Sequence, residues 1–67
     1  MIGDNIKRIR KSLSLTQQQL SEISGVDQRA ISRYECGTFA PTIATAKKIA
    51  AALGVRLEEL SKEDDEC

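Results

Sequence analysis

Sixty-seven residues, 40% of them apolar, suffice for one domain with a modest core and leave little room for a substrate pocket. No apolar run is long enough to cross a bilayer, and the basic, apolar and small-residue order of a signal peptide is missing, so a cytosolic location is expected. The formal net charge of zero hides a division: residues 1–57 hold nine Lys or Arg against four Asp or Glu, and residues 58–67 hold one against six.

A basic body points to a polyanionic partner, and an acidic end reads as a solvated, disordered tail over residues 62–67. The bland alternative for each cluster is a soluble surface. There is no His, no paired carboxylates stand in the body, and neither Cys36 nor Cys67 has an activating base or a metal-like spacing. Enzyme, metal and cofactor chemistry are therefore not expected, and both cysteines are expected to be reduced thiols.

In chain order, the spacing of Ile2, Ile6, Ile9 and Leu13 predicts a first helix over about 2–13. Thr16 followed by Gln19 has the form of a capping box and opens a second helix over 17–24, with Leu20 and Ile23 inward. Gly25 can close that helix in the left-handed conformation. Asp27 is the expected cap of a third helix over 28–36, ended by Gly37. Thr42, after the single proline, caps a fourth over 43–53 with Ile43, Ala46, Ile49, Ala50 and Leu53 on one stripe, ended by Gly54. A short fifth helix over 57–61 closes the core with Leu57 and Leu60. No strand pattern competes, so the class is all-α.

The third helix divides cleanly. At about 100° per residue, Gln28, Arg29, Ser32, Arg33 and Cys36 share one arc, and Ala30, Ile31 and Tyr34 share another. The first arc carries forked donors and acceptors. Arg can donate two parallel bonds to guanine O6 and N7, Gln can pair with adenine N6 and N7, and a Ser hydroxyl suits a base or a phosphate. The alternative is an ordinary solvated face. The break before this helix has the form of a three-residue turn with Gly first, which lets two helices cross steeply if Val26 is buried and the small Ser21 permits close approach. Gln17 and Gln18 open the second helix, where free N–H groups favour a phosphate.

With these residues assembled, LTQQQLSEISGVDQRAISRYECG and ATAKKIAAALGVRLEEL resemble the phage-repressor-like helix-turn-helix regulators, also called Cro-like or Xre-type. The resemblance covers residues 2–61 and implies a five-helix, lambda-repressor-like DNA-binding domain over 1–61, its helix-turn-helix formed by the second and third helices. It implies a sequence-specific transcriptional regulator, a repressor in type, that binds double-stranded DNA as a homodimer on a near-palindromic operator. Gln28, Arg29, Ser32 and Arg33 fall on base-contacting positions. Lys7, Arg10, Gln17, Gln18 and Thr38 fall on phosphate-contacting ones, and Arg10 with Glu35 matches an ion pair between the first and third helices. The fifth helix and the loop before the fourth match dimer surfaces.

Two departures stand out. Cys36 occupies a place where many relatives have Asn, and the loop GTFAPT lacks their Lys or Arg, which leaves backbone N–H groups to hold phosphate there. Phe39 in that loop is either a core plug or a dimer contact, and the core is the expected place. Cys36 on the polar arc also invites a redox switch, against which stands the lack of an activating neighbour. The second functional class is a protein-interaction module, an antitoxin or adaptor working through a protein partner. Such a module has no need of a polar third-helix face.

Overall fold

The computed structural model describes residues 2–61. The expected acidic tail over 62–67 and Cys67 lie outside the described residues. Five helices follow in order: α1 (Ile2–Ser12), α2 (Gln17–Ser24), α3 (Gln28–Cys36), α4 (Ile43–Leu53) and α5 (Leu57–Ser61), with no strand among the described residues.

Local chemistry sets most boundaries. Thr16 Oγ1 accepts from the Gln19 amide at 3.0 Å and Gln19 Oε1 accepts from the Thr16 amide at 2.8 Å, the reciprocal box that opens α2. Thr42 Oγ1 accepts from the Thr45 amide at 3.2 Å and opens α4. At α3 the expectation needs correcting, because the Asp27 side chain makes no capping bond. Its carbonyl accepts from the Ile31 amide and its carboxylate stays exposed, so Asp27 begins the helix by its backbone. Gly25, Gly37 and Gly54 each close a helix at positive φ, as expected.

The core contains Ile6, Leu20, Val26, Ile31, Ile49, Ala50, Leu53 and Leu60, one or more from every helix and one from the turn. α1 packs on α3, α4 and α5, and α2 packs on α3 and α4. Four apolar side chains expected inside are outside. Leu13 is exposed because α1 ends a residue early, and Ser14 at φ 59° turns the chain so that Leu15 packs inward instead. Ile23 is 57% exposed because the inward stripe of α2 is Gln17, Leu20, Ser21 and Ser24, roughly 110° away on the helix. Ile43, 70% exposed, is the first residue of α4 and no described element covers it. Phe39 is 56% exposed and is not a core plug.

Two contacts between distant residues complete the fold. Asn5 is fully buried and its Nδ2 donates to the Leu60 carbonyl at 2.8 Å, tying α1 to α5 across fifty-five residues. Replacing Asn5 with Ala strands that carbonyl in the core, so a loss of about 1–3 kcal/mol is expected. Hydrogen exchange should show it first as lost protection in α5; an α5 no more exposed than in the parent chain would contradict it. Gly3 is the other contact. A Cβ built there would lie 1.9 Å from the Tyr34 carbonyl oxygen, so α1 and α3 cross backbone against backbone.

Candidate nucleic-acid interface

α3 is held from behind and open in front. Ile31 is buried and Ala30 and Tyr34 are half-buried against the core. Gln28, Arg29, Arg33 and Cys36 are exposed, and Ser32 is half-buried at the margin of the same face. The two arcs of the sequence reading are therefore the inner and outer faces of the helix.

The helix-turn-helix angle is fixed by one polar cluster. Arg10 Nε donates to Glu35 Oε2 at 2.8 Å, and Arg10 Nη2 donates to Glu35 Oε1 at 3.0 Å. Arg10 Nη1 donates to the Leu15 carbonyl at 2.7 Å, and Gln17 Nε2 donates to Glu35 Oε1 at 3.0 Å. The carboxylate thus joins α1, α2 and α3, and the guanidinium adds the turn after α1. The ion pair is well shielded, with side-chain exposures of 9% for Arg10 and 3% for Glu35. Burial alone pushes the Glu35 carboxyl up, but the hydrogen bonds from Arg10 and Gln17, with the charges of Arg10 and Lys7, outweigh it and hold the group below its ordinary value. The hydrogen bond to Glu35 holds the Arg10 guanidinium above its own, against the opposing effect of burial.

Of the two roles expected for Arg10, the structure gives it the ion pair. Its three nitrogens point inward, so it is not placed to hold a phosphate. Gln17 is likewise turned towards Glu35, a contact that spacing along the chain did not reveal; its one sequence signal is a half-buried polar residue on the stripe of Leu20. Lys7, Gln18 and Thr38 are exposed, as phosphate contacts require. The backbone amides of Gln17 and Gln18 have no partner among the described residues, and the first turn of α2 carries no acidic residue. The loop after α3 differs from expectation. The amides of Gly37, Thr38 and Phe39 all turn back to the carbonyls of Arg33 and Tyr34, so these N–H groups are not free for phosphate. In this loop that leaves the Thr38 hydroxyl and the amides of Ala40 and Thr42, which have no partner among the described residues.

Among the described residues no group of three or more His, Cys, Asp or Glu could hold a metal, and no helix is long and apolar enough to cross a membrane. Residues 6–60 match the family model HTH_3, described as helix-turn-helix. The chain belongs to this helix-turn-helix family.

Within reach of the family match, the chain is 38% identical over 66 residues to an uncharacterized HTH-type transcriptional regulator, y4dJ, of Sinorhizobium fredii, covering 98% of this chain and 86% of that one. It is 32% identical over 63 residues to the immunity repressor protein of Bacillus phage phi105, covering 94% of this chain and 44% of the repressor. The chain thus spans less than half of that repressor. Among solved structures, the biofilm master regulator SinR in complex with DNA superposes with a TM-score of 0.88 at 32% identity, covering 92% of this chain and all of that one. The five-helix arrangement expected from the resemblance is the arrangement of the structure.

Proposed function

We propose that this helix-turn-helix protein is a sequence-specific regulator of transcription that binds double-stranded DNA. α3 lies in the major groove, with Gln28, Arg29, Ser32 and Arg33 at base edges and Lys7, Gln18, Thr38 and the backbone amide of Gln17 at phosphates. The observation that carries this reading is the outer face of α3. It is polar, uncovered and rich in forked groups, while the same helix is pinned from behind by Ile31 and the Glu35 cluster. Rigid support matters because a base edge is read only if the donors arrive in register.

At the N-terminus of α2, two amides without partners among the described residues and the exposed Gln18 side chain form a fitting place for a phosphate oxygen. A single domain offers little contact area, which favours two copies on a near-palindromic site. Exposed Ile43, at the start of α4, supplies an apolar surface for that pairing.

Selection of sites from a random duplex library at near-physiological salt tests the reading. Two inverted half-sites about one helical turn apart (roughly 10 base pairs) are expected. Recovery of no motif sinks the proposal and favours an antitoxin or adaptor that needs a protein partner. On the selected site, Arg33→Ala should cost about 1–3 kcal/mol and relax preference at one or two base pairs. Lys7→Ala should weaken all sequences alike and flatten the log–log salt dependence by about one unit.

A further inference from the structure

We propose that Phe39 is a positioning residue for Arg33: its ring carries the guanidinium and sets the direction from which Arg33 enters the major groove. The inference rests on the reading of α3 as the base-contacting helix.

Phe39 is the chain's one phenylalanine, and it is neither in the core nor loosely placed. The Arg33 Cζ lies 5.5 Å from the centre of its ring. That is within the distance, about 6 Å, at which a cation is drawn to an aromatic face. Arg33 has no carboxylate partner among the described residues, so the ring is its described side-chain contact.

The backbone keeps the two together. Gly37 at φ 81° reverses the chain after α3, and the amides of Thr38 and Phe39 then reach the Arg33 carbonyl at 3.0 and 3.5 Å. The loop that bears the ring is therefore fastened to the residue whose head group the ring holds. A guanidinium drawn to an aromatic ring by its charge spends no N–H group on a competing acceptor. Its N–H groups stay available to a guanine O6 and N7 pair. Phenylalanine has no polar group to compete for them. An arginine already held in this way loses less rotational freedom on binding than a free one. Gln28 and Arg29, on the same face, have no such support.

The test uses the whole chain on the selected operator and on operators changed one base pair at a time. Four variants are compared: Phe39→Leu, Phe39→Tyr, Arg33→Ala and the double variant Phe39→Leu/Arg33→Ala. Phe39→Leu should cut discrimination about three-fold per half-site, the scale of an exposed cation–π contact, and only at the base pairs that Arg33→Ala relaxes. Phe39→Tyr should keep it. Once Arg33 is Ala, losing the ring should cost nothing more. A loss that is equal on every sequence, or that persists in the Arg33→Ala background, overturns the proposal and makes Phe39 a contact between copies. If Arg33→Ala relaxes a base pair and Phe39→Leu does not, the positioning role alone fails. If Arg33→Ala relaxes nothing, the reading of Arg33 as a base contact fails first.

Discussion

Glu35→Ala is expected to lower stability by about 3–5 kcal/mol, because it leaves the Arg10 guanidinium shielded and without its counter-charge. Folded domains hold roughly 0.05–0.15 kcal/mol per residue, so a chain of this size has about 3–10 kcal/mol in all. Urea denaturation would show a midpoint lowered by about a third or more. The origin of the loss is specific. It comes from stranding one charge, not from deleting a large favourable term, since taking both charges out of water costs much of what their attraction returns. Arg10→Met/Glu35→Leu together should therefore recover most of the stability. Recovery should stop short of complete, because the Leu15 carbonyl and the Gln17 amide each lose a partner. A single-variant loss below about 1 kcal/mol would put the pair in the class of surface ion pairs and overturn the argument.

The same carboxylate gives a sign to the pH dependence. Its folded pKa lies below its ordinary value of 4.5. Its contribution is then fully present above that value and is lost as pH falls through the lower, folded one. Acid should destabilise the parent chain more steeply than Glu35→Gln, and equal acid sensitivity would contradict the shift.

Gly3→Ala is expected to cost about 2–3 kcal/mol, at the upper part of the range for overpacking. The sign is what decides. On helix propensity alone, alanine for glycine inside α1 should stabilise by up to about 1 kcal/mol. The added Cβ, however, meets the Tyr34 carbonyl oxygen at 1.9 Å and its carbon at 2.8 Å. Both are backbone atoms within α3 and cannot swing aside. Relief can come from moving α1 off α3 or from unwinding the first turn of α1. The first disturbs the Arg10–Glu35 geometry two turns further along, and the second removes Ile2 from its place against the core. A thermal melt settles the matter, and a raised midpoint would show that the crossing is looser than the structure has it.

These two residues mark where reading the chain and reading the fold part company. Helix boundaries were legible because their causes lie within about four residues: Thr16 with Gln19, Thr42 with Thr45, and glycines at positive φ. The polar arc of α3 was legible for the same reason, since 100° per residue is a local property. The Arg10–Glu35 pair entered through family resemblance, which carries tertiary information that spacing does not.

What the sequence left open are relations between elements. Nothing local says that Gly3 faces a backbone, that Asn5 reaches a carbonyl fifty-five residues away, or that Gln17 turns to Glu35. Periodicity placed Ile23 and Ile43 inward because it counts apolar residues on a stripe. Whether a stripe is covered depends on where the neighbouring helices end, and Ile43 lies where no described helix reaches. Phe39 looked like a core residue because aromatic side chains usually are. The turn at Gly37, fastened to the Arg33 carbonyl, carries its ring outward to a guanidinium instead. The sequence by itself determined five helices, three of them closed by glycine, and a polar face on the third. Only the tertiary structure decided which side chains pin that face in place, because burial and charge pairing are properties of two surfaces meeting and not of either one alone.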